Sequence, residues 1–210
     1  MPELPEVEVV RRGLVSWVRG RTITSVDVLD ARSIRRHALG MEDFAGNLVG
    51  ATVTDVVRRG KFLWLPLTDS AAAHPAAASA DGEVSADTSP AVALMAHLGM
   101  SGQLLMQDAG VPDEKHLKVR LRLSPREGMP GQLRFVDQRI FGGLFVTAMV
   151  PTDDGGPGGL AESPLPLIAE EAAHIARDPL DPAFSFDLFY QRLRKRKTGL
   201  KRALLDQGLI

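Results

Sequence analysis

The stretch Leu117-Lys118-Val119-Arg120-Leu121-Arg122-Leu123 alternates apolar and basic residues without a break. Successive side chains of a β-strand point to opposite faces, so this spacing predicts a strand that buries Leu117, Val119, Leu121 and Leu123 and presents Lys118, Arg120 and Arg122. Runs of similar character lie on both sides of it. Residues 22–28, 52–58, 62–67, 91–98, 103–106, 133–136 and 144–150 also read as strands. Short strands at this density, separated by turn-forming residues, predict a β core of the sandwich or barrel type. Ahead of it, Val7, Val10, Leu14, Trp17 and Val18 fall on one helical face, and Gly20 supplies a stop.

Two segments interrupt the β pattern. Residues 69–90 are rich in Ala, Ser, Asp and Pro, and residues 151–166 are rich in Gly and Pro. Neither carries enough large apolar side chains to offset its ordering entropy, and both are expected to be mobile surface insertions. Beyond them, residues 184–194 and 197–205 read as helical and basic. The expected organisation is therefore a β domain over residues 1–168 and a helical module over 169–210.

A chain of 210 residues with 44% hydrophobic content can bury a proper core. No run approaches the ~18 apolar residues needed to span a membrane, and the start lacks the basic-then-apolar order of a signal peptide. A cytoplasmic location is expected. The absence of cysteine removes disulfides, thiol nucleophiles and cysteine-bound zinc from this sequence. The net charge of −1 hides strong clustering: from Phe184 to Ile210 there are seven Lys or Arg against Asp187 and Asp206. Clusters, not totals, make an electrostatic footprint for a polyanion, although any single cluster is also explained as a solvated face.

Several positions carry chemistry-bearing groups. Removal of Met1 would leave Pro2 as a free secondary amine beside Glu3. An α-amino group titrates near ~8, so a fraction is neutral at pH 7 and able to attack an aldehyde or sugar C1′. Pro5 in a first helical turn, with Glu6 and Glu8 complementing the helix dipole, accounts for the same letters without chemistry. Lys61 follows Gly60 between two strands, either as an exposed charge or as a proton-exchanging group that disfavours protonation of Pro2. Met100 lies among the glycines of His97-Leu98-Gly99-Met100-Ser101-Gly102, as a core filler or as a wedge for a base stack. Arg139 and Phe141, two residues apart, point the same way on an extended segment. They suit either ordinary packing or the gap left by an extruded base.

Taken in order, these motifs closely resemble formamidopyrimidine-DNA glycosylases, the bacterial enzymes that remove oxidised purines. The resemblance rests on PELPEVE at residues 2–8, RRGKFLWL at 58–65, HLGMSG at 97–102, Lys115-His116, DQRxFGG at 137–143 and KTGLKRALLDQ at 197–207. It implies an α+β fold: a two-sheet antiparallel β-sandwich with an amino-terminal helix, followed by the start of a helix-two-turn-helix. It implies a bifunctional glycosylase and abasic-site lyase acting as a monomer on damaged double-stranded DNA. Pro2 would be the Schiff-base nucleophile, Glu3 the acid assisting sugar-ring opening, and Lys61 a proton donor in β-elimination, with Glu6 shaping the same pocket. His116, Arg139 and Arg196 would contact DNA, with Lys201 as a further phosphate contact. Met100, Arg139 and Phe141 would fill the gap of the flipped base. Ile140 stands where the family often has a second arginine, and Lys118 where many members have a histidine. The family also carries a four-cysteine zinc finger after this region, so the chain is expected to be a truncated form that binds no zinc itself. Alternatives are a non-catalytic DNA-binding remnant, or an enzyme of the related endonuclease-eight branch, which prefers oxidised pyrimidines. PEVE after the start and the Arg139-x-Phe141 pair favour the purine branch.

Overall fold

A computed structural model describes residues 3–68 and 90–210. Along the chain these form helix α1 (Leu4–Val18), strand β1 (Ile23–Val28), helix α2 (Gly40–Leu48), and strands β2 (Thr52–Val53), β3 (Val57–Arg59) and β4 (Phe62–Thr68). They continue as β5 (Val92–His97), β6 (Gln103–Gln107), β7 (Leu117–Leu123), β8 (Gln132–Val136), β9 (Gly143–Pro151) and β10 (Leu167–Ala169), then helices α3 (Phe186–Arg194) and α4 (Leu200–Ala203). Two antiparallel sheets result. One has the order β1-β7-β8-β6, and the other β10-β9-β5-β4-β2, with β3 also paired to β4.

The alternation in β7 decides how the sheets meet. Leu117, Val119, Leu121 and Leu123 are buried, and Val119, Leu121 and Leu123 join Leu63, Leu65, Leu67, Leu94 and Leu144 of the second sheet in one core. Helix α1 adds Val7, Leu14 and Val18 to that core, and α2 adds Phe44 and Leu48. The second sheet is covered on its other face as well, where Trp64, Ala93, Met95 and Phe145 pack with Ile168, Ala169 and Ala172. A strand buried on both faces reads as a continuous apolar run, and this is why β4 is Phe-Leu-Trp-Leu-Pro-Leu-Thr.

The structure departs from the expected elements in four places. The segment 52–58 is split, because the Asp55 carboxylate accepts from Val56 N–H at 2.7 Å and Ser163 N–H at 2.6 Å. Helix α2 and strand β10 were not expected: α2 is nine residues long with glycine inside it, and β10 is three residues long. The helix expected over 197–205 is only the single turn of α4, and Leu200, Leu204 and Leu205 are exposed. The basic face of β7 is present but neutralised. Lys118 pairs with Asp30 at 3.2 Å, and Arg120 and Arg122 pair with Asp27 at 3.3 and 3.1 Å.

Most of the first low-complexity segment, residues 69–89, lies outside the described residues. The second, expected as a free insertion, makes specific contacts: Leu160 forms a backbone bridge with Arg58, Glu162 pairs with Arg11 at 3.3 Å, and Pro157 O accepts from Arg59 Nη2 at 3.1 Å. Its glycines allow that approach, since a Cβ on Gly159 would collide with the Arg58 carbonyl. In the helical region, Ser185 caps α3 by accepting from Leu188 N–H at 3.3 Å. Ser185→Ala is expected to destabilise that helix by about 1 kcal/mol, read as faster amide exchange confined to α3.

Candidate active site

The start of α1 and the turn between β3 and β4 meet at one point. Glu3 is the N-cap of α1, its N–H donating to Glu6 Oε2 at 3.1 Å. Gly60 and Lys61 form a two-residue loop between the paired residues Arg59 and Phe62. Gly60 has φ +55, a conformation natural to glycine, at the first loop position where type II′ hairpins place it. This turn delivers Lys61 Nζ to 2.6 Å from Glu3 Oε2. The hydrogen bond from Lys61, reinforced by its charge, holds the Glu3 carboxyl below the ordinary carboxylate value. Pro2, next to Glu3 in sequence, lies outside the described residues.

Beneath this pair is a buried ionic group that the sequence reading did not single out. Arg58 is 0% exposed, and its Nε donates to Glu8 Oε2 at 3.0 Å while Nη1 donates to Asp178 Oδ2 at 2.8 Å. Arg11 and Arg12 also donate to Glu8, at 3.0 and 2.7 Å. Burial alone would raise the Glu8 carboxyl, but the hydrogen bonds from Arg11, Arg12 and Arg58 outweigh it and bring it down to about 2. A carboxyl depressed on folding contributes stability above its unfolded value of 4.5 and loses that contribution as pH falls toward 2. Acid unfolding is therefore expected to include a term of roughly 3 kcal/mol from Glu8 in this window, which Glu8→Gln removes. Denaturant midpoints measured at pH 6 and pH 3 on both proteins check it.

A second group forms where residues 98–102 meet residues 137–142. A Cβ on Gly99 would come within 2.5 Å of Gly142 N, so only glycine permits the contact. Asp137, fully buried, ties the loops together. Its Oδ1 accepts from Ser101 Oγ at 2.6 Å and Arg139 N–H at 3.1 Å, and its Oδ2 accepts from Gly142 N–H at 2.9 Å. Arg35 clamps the far side, donating to the carbonyls of Ile140 at 2.9 Å and of Phe141 and Gly142, each at 3.3 Å. Ile140 is held at φ +56, a strained conformation for a β-branched residue.

Three side chains project from this frame. Met100 is 46% exposed, Phe141 is 53% exposed, and Arg139 Nη1 lies 3.7 Å from Met100 Sδ. Neither Met100 nor Phe141 is a core filler. A groove of about 400 Å³, lined by Glu6, Val10, Leu98, Met100 and Ser101, runs from Met100 to the first turn of α1. His116 sits directly before β7, and its carbonyl accepts from Asp137 N–H at 3.0 Å. Replacing Asp137 by Ala is expected to cost about 2 kcal/mol through unsatisfied N–H groups, seen as a lower denaturant midpoint.

The family model for the formamidopyrimidine-DNA glycosylase N-terminal domain matches residues 1–144. The chain belongs to this family. Formamidopyrimidine-DNA glycosylases of Kineococcus radiotolerans, Salinispora arenicola and Thermobifida fusca are 50%, 51% and 51% identical over the whole chain. The chain spans 63%, 60% and 62% of the length of those relatives. Among solved structures, a complex of wild-type Lactococcus lactis Fpg with DNA containing N7-benzyl-Fapy-dG is similar, with a TM-score of 0.64 and 26% identity. That match covers 99% of this chain and 61% of the other. A complex of the L. lactis protein with THF-DNA and an inhibitor gives a TM-score of 0.66 at 26% identity.

Within the formamidopyrimidine-DNA glycosylase fold, the residues singled out from sequence thus form two groups: Glu3, Glu6 and Lys61 at the head of α1, and Met100, Arg139, Phe141 and His116 around Asp137. Arg196 belongs to the helical region, where it pairs with Asp206 at 2.6 Å, and Lys201 is exposed on α4. Among the described residues, no group of three or more His, Asp or Glu side chains is arranged to hold a metal ion, and no helix is long and apolar enough to cross a membrane.

Proposed function

We propose that this chain carries the chemistry of a base-excision DNA glycosylase and abasic-site lyase that removes oxidised purines, 8-oxoguanine and formamidopyrimidines, from duplex DNA. The observation that carries the reading is the Glu3–Lys61 pair at 2.6 Å at the head of α1, one residue from Pro2. Neutral Pro2 attacks C1′, forming a C–N bond as the glycosidic bond breaks and the base leaves. Glu3, held as a carboxylate by Lys61, accepts the proton released from the Pro2 nitrogen and returns one to the ring oxygen as the sugar opens. The resulting iminium acidifies the C2′ proton, and its loss expels the 3′ phosphate. Lys61 exchanges protons in that elimination.

The target C1′ is shielded in a stacked duplex, so the nucleotide must be extruded first. Met100 and Phe141 supply apolar wedges and Arg139 a donor for the orphaned partner base. DNA complexes of the similar L. lactis protein support lesion-containing DNA as the partner. His116, Arg196 and Lys201 are assigned to phosphates, and the chain acts as a monomer in the bacterial cytoplasm. The family's zinc ion finds no fit here: the sequence has no cysteine, and no metal-holding cluster occurs among the described residues.

The test is cleavage of duplexes carrying 8-oxoguanine, thymine glycol or no lesion. Preference for 8-oxoguanine is expected. Preference for thymine glycol would move the chain to the pyrimidine branch, and binding without cleavage would contradict the catalytic assignment. Arg139→Ala is expected to reduce discrimination of the base opposite the lesion by roughly 10-fold, while binding to a preformed abasic site changes less. Equal losses on both substrates would contradict the gap-filling role.

A further inference from the structure

We infer that Arg58 and Asp178 are positioning residues for Lys61: they grip both peptide groups flanking Gly60 and tie that turn to the helix that Glu3 caps. The role given to Lys61 rests on the function proposed above, but the geometry stands without it. Gly60 N–H donates to Asp178 Oδ2 at 3.0 Å, and Gly60 O accepts from Arg58 Nη1 at 2.9 Å. The same guanidinium reaches Asp178 with both terminal nitrogens, at 2.8 and 3.3 Å, and Glu8 with Nε at 3.0 Å. Glu8 lies one helical turn beyond the N-terminal residues of α1, so one planar group sets the position of both elements that carry the Glu3–Lys61 pair.

A two-residue hairpin loop needs no such support. Hairpin register follows from the turn and the strand pairing, and its tip is ordinarily solvated. Burying a guanidinium with two carboxylates carries a desolvation penalty that well-packed apolar residues would avoid, so these charges add little net stability and are better explained by geometry. The planar fork of arginine is suited to this task, because it holds three acceptors at fixed angles. Asp178 also accepts from Leu180 N–H at 3.0 Å, which fixes the first turn of the segment leading to α3. The Lys61 turn is thus referenced to three elements: its own strand, α1 and this linking segment.

The test uses the full chain and Asp178→Asn, with Arg58→Lys as a second variant that keeps a charge but cannot reach all three acceptors. On a preformed abasic duplex, each variant is expected to raise the ratio of borohydride-trapped imine to eliminated product by about 10-fold, because elimination slows while imine formation persists. KM should change little. A merely structural role would lower both yields with the folded fraction and leave the ratio unchanged. Without DNA, the Glu3 carboxyl of either variant, followed by carbon NMR, should titrate closer to 4.5 than in the unaltered chain as Lys61 withdraws. In the unaltered chain, the Gly60 amide should be protected from hydrogen exchange. An unchanged ratio and unchanged Glu3 titration in folded variants, or an unprotected Gly60 amide, would overturn the inference. Absence of both imine and elimination in the unaltered chain would instead overturn the proposed function, leaving the Glu3 titration and Gly60 exchange to decide this one.

Discussion

Replacing Lys61 by Ala is expected to slow strand cleavage at an abasic site by about 10²- to 10⁴-fold, the usual worth of a positioned proton-transfer group. The loss should fall on elimination. Lys61 donates a hydrogen bond to the Glu3 carboxylate across 2.6 Å and stands on a two-residue turn, so its removal vacates the contact without disturbing the strands. Two consequences separate this from unfolding. The imine should still be trapped by borohydride, because the amine that forms it is elsewhere, and the Glu3 carboxyl should rise toward its ordinary value once its hydrogen-bond donor has gone. Single-turnover cleavage and trapping assays on the same preparation measure both. Loss of both trapping and cleavage from a folded variant would contradict a role confined to elimination.

Arg58→Ala is expected to destabilise the fold by about 3–5 kcal/mol, because it leaves the carboxylates of Glu8 and Asp178 facing each other without their shared cation. Arg58 has no exposed surface, and Asp178 is 2% exposed, so water can replace little of what is lost. Glu8 retains Arg11 and Arg12 and is compensated in part. Asp178 keeps only backbone donors, from Gly60 and Leu180. Denaturant unfolding should show a lower midpoint with little change in slope. A loss below about 1 kcal/mol would mean that the group relaxes or hydrates, and that its geometry is less fixed than described here.

The sandwich was legible wherever burial imposes a period. Strict alternation located 117–123, and the 3.6-residue spacing of Val7, Leu14 and Val18 located α1, because each element meets the core on one face. Elements defined by tertiary contact were not legible. Strand β10 is three residues long and depends on its partner β9, and α2 buries only Phe44 and Leu48 of its nine residues. Residues 151–166 read as unattached because their contacts are made by backbone groups and by charged partners distant in sequence, such as Arg11 and Arg59.

The site shows the same division. Groups that meet solvent and carry reactive atoms, Glu3, Lys61, Met100, Arg139 and Phe141, stood out as motifs. The groups that hold them in place did not. Asp137 lay within a quoted motif without a role, and nothing in its neighbours shows that it accepts from both Ser101 and Gly142. Arg58 and Asp178 are 120 residues apart and become partners only in the fold. Arg35 looked like one of many surface cations, and three of its four carbonyl partners are over a hundred residues away.

The central claim is that Pro2 supplies the reacting amine beside the Glu3–Lys61 pair. Borohydride trapping of the 210-residue chain on a duplex containing 8-oxoguanine, followed by mass mapping of the crosslinked peptide, tests it most directly. The account predicts a single crosslink on the amino-terminal peptide, at Pro2 after loss of Met1. A crosslink at Lys61, or none from a folded chain, would contradict it.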